Sequence, residues 1–319
     1  MAGISLILVS SSGSATPSFQ VVEPHDQSYV AGQFIAVTLR VADKGMDAIA
    51  VELKGKKSAL APRREYLCFG GLELEPGLNT LTVTAEKGGA VVQKADITVY
   101  RVVEVSKDSR VPPPGFGLNP FHTKAKEEVC KPCHKMEPGS SEVIPAVPSD
   151  SACYTCHRQV TGFSNVHGPA AVWGCLSCHE PGGNPVRYAV KSPTRDICFT
   201  CHKDAEEQWA RKGFVHGPTA TGSCTICHSP HASDNPFWLR KPAWELCTSC
   251  HEEKVTETHV VAGFVFGGTH PTKGRPDPLR KGSDLSCASC HNPHISDSRF
   301  FFVNGADSAF GLCQVCHEK

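Results

Sequence analysis

The sequence predicts two regions of different architecture in one chain of 319 residues: an all-β sandwich, then a loop-rich, mostly irregular domain with short helices, built from four repeats. Three observations predict this division. Apolar and polar residues alternate between 19 and 107, as in strands that bury one face. Of seventeen cysteines, only Cys68 precedes residue 130. From Cys130 onward the alternation stops, and one short cysteine motif recurs to the end.

Residues 1–18 read as a disordered or residual signal segment. Ile4 to Val9 form a short apolar patch and Gly13-Ser14-Ala15 offers small residues, but no Lys or Arg precedes the patch. The sandwich is expected over 19–107. Ile35, Val37, Leu39 and Val41 alternate with Ala36, Thr38 and Arg40, and the pattern returns at Ile49, Val51 and Leu53, at Leu81, Val83 and Ala85, and at Ala95, Ile97 and Val99. Asp43-Lys44-Gly45, Pro76-Gly77 and Gly88-Gly89 punctuate the runs as turns. About six or seven short strands are expected. The stretch "LEPGLNTLTVTA" resembles the late strands of bacterial immunoglobulin-like domains, which implies an immunoglobulin-like sandwich. Cys68 reads as a small core residue.

Residues 108–120, including "VPPPGFGLNP", form a Pro/Gly linker. In 121–319, segments such as "KDAEEQWARKG" suit short helices and the rest is loop. Two hundred such residues with few large aliphatics do not build a core. Something other than side chains must fill the interior.

The motif is C-x-x-C-H, present eight times. Its cysteines are Cys130 and Cys133, Cys153 and Cys156, Cys175 and Cys178, Cys198 and Cys201, Cys224 and Cys227, Cys247 and Cys250, Cys287 and Cys290, and Cys313 and Cys316. The histidines that follow are His134, His157, His179, His202, His228, His251, His291 and His317. This is the attachment signature of c-type haem. Two thiols three positions apart each add across one vinyl group of a porphyrin, and the next residue is held under the ring as proximal iron ligand. Eight copies predict eight covalently attached haem c groups.

The copies are periodic. The first cysteines of motifs one and two, three and four, and five and six are 23 residues apart, and those of seven and eight are 26 apart. His122, His167 and His216 each lie eight residues before a pair; His270 lies seventeen before the last, with "TKGRPDPLRKGSDL" inserted. The region therefore reads as four dihaem repeats. Zinc is the serious rival, since paired cysteines build zinc ribbons, but a ribbon has no need of histidine after every second cysteine. A disulfide framework suits smaller secreted domains. A thioredoxin-like motif explains one copy, never eight.

A low-spin haem needs a sixth ligand. Outside the motifs this domain holds His122, His167, His216, His231, His259, His270 and His294, expected as distal ligands. Seven histidines leave one iron short. His25, Met136, a histidine from another subunit, or an open site remain for it.

"CHSPH" (His228, His231) and "CHNPH" (His291, His294) resemble the multihaem c-type cytochromes with the doubled C-x-x-C-H motif, including conduit and extracellular electron-transfer cytochromes. The resemblance covers about 119–319 and implies that the later histidine ligates a neighbouring haem. At the position of His231 the first two repeats carry Glu137 and Gly182 instead.

The resemblance implies electron transfer through closely spaced haems, with no catalysis, in respiratory or extracellular transport. The alternative is an oxidoreductase acting on a small nitrogen or sulfur oxyanion at one open haem. Lys and Arg number 32, as do Asp and Glu, which gives no argument for a nucleic-acid partner. With about −1 per ferric haem, the holoprotein is expected near −8 oxidised and −16 reduced. No run of 18 apolar residues predicts a transmembrane segment. Expected partners are redox proteins, a porin, a mineral acceptor, or further copies in a filament. Attachment of this kind implies a periplasmic or cell-surface location.

Overall fold

The computed structural model describes residues 17–63, 66–138, 144–183, 186–190, 193–257, 259–260 and 269–317, the side chains of 61–69 excepted. The readings of 1–16 and of the Cys68 side chain lie outside the described residues. The chain divides into two compact units, Met1–Arg101 with Pro113–Asn119, and Val102–Pro112 with Pro120–Lys319.

The first unit is all β. Among its described residues are β1 (Phe19–Glu23), β2 (Ser28–Val30), β3 (Phe34–Val41), β4 (Ala48–Leu53), β5 (Lys56–Ala59), β6 (Ala61–Arg63), β7 (Tyr66–Glu73), β8 (Gly77–Lys87), β9 (Ala90–Arg101) and β10 (Gly117–Leu118). One sheet has the order β1-β3-β7-β6, the other β10-β2-β9-β8-β4-β5. Val37, Leu39 and Leu72 of the first sheet share a core with Ile49, Val51, Leu81, Val83, Ile97 and Val99 of the second. The period of two thus turns one face of each sheet onto the other. Gly88 and Gly89, both at positive φ, close the β8–β9 hairpin between Lys87 and Ala90, a turn that glycine makes without strain.

Two features differ from the sequence reading. The strands outnumber the expected six or seven, because β2, β5 and β6 have only three or four residues, too short to display alternation. Part of the Pro/Gly stretch is also ordered against the sheet. β10 runs parallel to β2, Gly117 donates to the Gln27 carbonyl, and Phe116 meets Tyr100 edge to face.

The second unit is loop-rich, with helices of one or two turns such as Lys124–Cys130, Arg195–Cys201, Ala243–Thr248 and Ala309–Gln314. Among its described residues are two small antiparallel ribbons. In one, β11 (Asn165–Val166) pairs with β13 (Ala232–Ser233); in the other, β12 (Phe214–Val215) pairs with β14 (Ile295–Ser296). Its buried apolar side chains among the described residues are Val105, Trp173, Phe199, Ala232, Leu246 and Ile295, scattered along the chain. So few cannot hold some two hundred residues together by apolar burial alone. Among the described residues, no helix is long and apolar enough to cross a membrane.

Candidate functional site

Every C-x-x-C-H closes as a single helical turn. The amide of each motif histidine donates to the carbonyl of the first cysteine four residues back, at 2.9–3.1 Å in all eight copies. Residues at i, i+3 and i+4 of such a turn share one face. Both sulfurs and the imidazole are therefore presented to the same side.

Seven of the eight motif histidines face a second histidine. The ring-centroid separations are 6.0 Å for His157 and His122, 6.0 Å for His179 and His231, and 6.3 Å for His202 and His167. They are 5.9 Å for His228 and His294, 6.3 Å for His251 and His216, 5.7 Å for His291 and His259, and 6.2 Å for His317 and His270. A coordinated imidazole nitrogen lies about 2 Å from a metal and the ring centre about 1 Å further, so two axial imidazoles on one iron have centroids about 6 Å apart. The residues fit haem. They do not fit the zinc alternative, because among the described residues no three of His, Cys, Asp and Glu converge on one point.

The rings are oriented by their second nitrogens. His179, His228 and His291 hold Nδ1 at 2.6–2.8 Å from the carbonyls of Tyr188, Phe237 and Phe300, each nine residues downstream. A carbonyl only accepts, so Nδ1–H donates and Nε2 keeps its lone pair for a metal. His167 and His270 donate likewise to Pro230 and Pro271, at 3.0 and 2.9 Å. Burial pulls His231 and His294 down to about 4 and lowers His216, so these rings are neutral near pH 7, as a metal ligand must be.

The facing rings follow a register. His167 and His216 precede a Gly-Pro that starts a short helix, and each faces the second motif of its own repeat. His231 and His294 lie three residues past a motif histidine, and each faces the first motif of the preceding repeat. The ribbons tie these histidines in pairs: the amide of His167 donates to the His231 carbonyl, and that of His216 to the His294 carbonyl, both at 2.9 Å.

The first repeat is built differently. Glu127, buried, accepts from His122 Nδ1 at 3.0 Å and from Arg187 Nη1 at 2.6 Å. Arg187 also pairs with both oxygens of Glu137, at 2.8 and 2.6 Å, and the carboxylates hold it protonated. Arg187 in turn lowers the Glu137 carboxyl. Tyr188 packs edge-on to His122 and donates to the Met136 carbonyl at 3.0 Å.

Sulfurs of successive motifs meet. Cys153 lies close enough to Cys175 for the two thiols to shift one another's ionisation, as do Cys198 and Cys224, and Cys247 and Cys287. These are first cysteines on either side of a repeat boundary. Within repeats the second cysteines are neighbours. Burial and the nearby Cys201 push the Cys178 thiol up; burial and Cys250 act on Cys227, and burial and Cys316 on Cys290. Motifs two to eight thus form an unbroken series in chain order, joined by first and second cysteines in turn.

Among the described residues, His134 faces no second imidazole. His25 lies in the first unit, well exposed, with Nε2 3.4 Å from Glu23. Met136 is half-buried beside Tyr188. The insertion before the seventh motif folds back on it: Asp277 donates its amide to Ser283 and accepts the Ser289 hydroxyl, and Arg280 donates to the Ala288 carbonyl. Sequence reasoning missed Glu127 and Arg187, which have no counterpart in the other repeats. It also missed the carbonyls nine residues past the motif histidines. Their signal was an aromatic residue at a fixed offset, in Tyr188, Phe237 and Phe300.

The family model of the doubled CXXCH motif matches residues 167–207, 216–256 and 277–319. The first two matches begin at His167 and His216, the facing histidines of the second and third repeats; the first repeat lies outside the match. No curated protein matches the chain. Among solved structures, an engineered protein is 20% identical over 28% of this chain and 21% of its own, with a TM-score of 0.25. The fibronectin(III)-like modules of Clostridium thermocellum CbhA are 10% identical over 26% of this chain and 94% of their own, at 0.21. CopC from Methylosinus trichosporium OB3b is 21% identical over 26% and 94%, at 0.20. At such TM-scores these likenesses say nothing about function. What the second unit carries is the doubled CXXCH motif of multihaem c-type cytochromes, and the cofactor that motif binds is covalently attached haem c.

Proposed function

We propose that the second unit binds eight haem c groups, seven of them between two histidines, and carries electrons along them in chain order. The observation that carries this reading is the set of seven facing imidazole pairs, each joining one motif histidine to one histidine outside the motifs. Bound haem iron supplies a one-electron couple whose potential is set by its axial ligands and surroundings. The protein's part is to hold two neutral imidazoles at the required separation, orient them through Nδ1, and leave no freedom for exchange. Paired histidines favour low-spin centres of low potential. The adjacency of Cys153 with Cys175, Cys198 with Cys224 and Cys247 with Cys287 supports close succession of the cofactors across repeat boundaries.

On this reading the protein is an electron carrier that exchanges electrons with redox proteins, a porin-bound partner, a mineral or further copies of itself. Covalent haem attachment of this family supports an exported, periplasmic or cell-surface protein of respiratory or extracellular transport. The sandwich serves as a docking or adhesion module. A second reading, an oxidoreductase for a small nitrogen or sulfur oxyanion, is favoured by one observation: among the described residues His134 faces no second imidazole.

The test is expression in a host with c-type haem maturation. Mass and pyridine haemochrome absorbance should give eight haems per chain, and potentiometric titration should give a broad, multi-component reduction. A colourless product, or one carrying only zinc, ends the proposal.

A further inference from the structure

The register of the distal histidines identifies which iron is incomplete, and why. In the second and third repeats, the imidazole facing the first motif comes from the next repeat, three residues past its first motif histidine. His231 serves His179 and His294 serves His228. For His134 the corresponding position is 182, which is glycine. His122, His167, His216, His231, His259, His270 and His294 each already face another motif histidine. None is left to move.

The surroundings differ to match. In the other two cases the ribbon bond runs from the amide of one distal histidine to the carbonyl of the next. Here the polarity changes: Arg187 donates its amide to the His122 carbonyl at 2.9 Å. Glu137, at the equivalent position of the first repeat, has no preceding motif to serve and pairs with Arg187 instead. A Cβ at Gly182 meets nothing within 4 Å among the described residues, so a side chain introduced there has room. Met136 is two residues past His134. The roughly 7 Å that two residues span does not carry a side chain round a porphyrin to its opposite face.

We propose that the iron held by His134 is the one coordinatively open centre of the protein, a binding site for a small ligand of the carbon monoxide, cyanide or imidazole type. It rests on haem attachment at all eight motifs. It sharpens the function proposed above by locating exchange chemistry at the first motif in chain order, as distinct from the seven closed centres. A closed centre passes electrons only. An open one also binds ligands that compete with, or are changed by, electron delivery.

The experiment uses the full-length, haem-loaded protein. The haem count is measured first; a count below eight counts against the attachment reading and is scored apart from ligand binding. The ferric protein should then show a high-spin signal amounting to about one-eighth of the iron. The dithionite-reduced protein should take up one carbon monoxide per chain. Gly182→His should convert that signal to low spin and abolish the uptake. His25→Ala should leave uptake unchanged, as should dilution of the protein.

A fully low-spin protein that binds no carbon monoxide overturns the proposal. If His25→Ala then opens a site, the first unit supplies the ligand; if dilution opens one, a second copy supplies it. A folded Gly182→His protein that still binds carbon monoxide overturns the register argument. Should that variant fail to fold, the wild-type stoichiometry and the His25→Ala arm still decide.

Discussion

The amide of His167 donates to the carbonyl of His231 at 2.9 Å, and this single bond ties together the ligands that face His202 and His179. On the proposed ligation, two metal centres of one repeat are completed by one ribbon, and half of that ribbon comes from the following repeat. His231→Ala should convert one centre to high-spin and weaken the join between repeats. His231→Met should keep it low-spin and raise its potential, by on the order of 0.1–0.3 V within the ~0.8 V that axial ligands span. Spectroelectrochemistry checks both. An unchanged spin-state distribution in the alanine variant would show that His231 is not a ligand.

Glu127 should tune the centre of His157 through His122. A carboxylate accepting from Nδ1 gives the ring imidazolate character, which stabilises the ferric state. Glu127→Gln should raise that centre's potential and leave the others in place. The variant also leaves half-buried Arg187 with Glu137 as its remaining carboxylate. A stability loss of about 1–3 kcal/mol is expected. A potential that does not move while stability falls would make Glu127 purely structural.

The His270 and His317 rings are 85° apart, whereas the other six facing pairs lie between 12° and 33°. Each axial imidazole donates π density into one iron d orbital. Near-parallel rings raise the same orbital and split the pair, giving rhombic low-spin spectra. Orthogonal rings raise both equally. Frozen-solution EPR of the ferric protein should therefore show one highly anisotropic, large-gmax signal among rhombic ones. His270→Ala should remove that signal alone.

The two regions were legible to different depths. Alternation at Val37, Leu39, Val51 and Val83 disclosed which side chains face the sandwich core, because burial of one sheet face leaves a period in the sequence. It could not disclose β5 or β6, whose three or four residues are too few to set an alternation apart from chance. The eight attachment motifs were legible because thioether chemistry dictates residue type and spacing together. Which imidazole faces which was not: His259 faces His291 without any repeat counterpart, and His122 depends on Glu127, a contact present in one repeat only. Pairings of this kind are settled by non-local packing, which leaves no periodic trace.

Asp277 should hold the seventh motif in shape. It is buried, with Oδ2 accepting from the Ser289 hydroxyl at 2.6 Å and Oδ1 from the Leu279 amide at 2.8 Å. Ser289 sits between Cys287 and Cys290, and its hydroxyl also accepts from the Ser286 amide in a capping box. Burial favours the neutral acid here. The hydrogen bonds from Ser289 and Leu279, with the nearby Arg280, outweigh it and lower the carboxyl below its ordinary 3.8. A depressed carboxyl contributes stability that is present above its unfolded value and is lost as pH falls through the folded one. Asp277→Asn should therefore cost about 1–2 kcal/mol near pH 7. The gap between wild type and variant should close as pH drops below 3.8. Thermal midpoints measured at both pH values check this. A gap that stays constant into acid would mean that the shape of Asp277, and not its charge, braces Cys287 and Cys290.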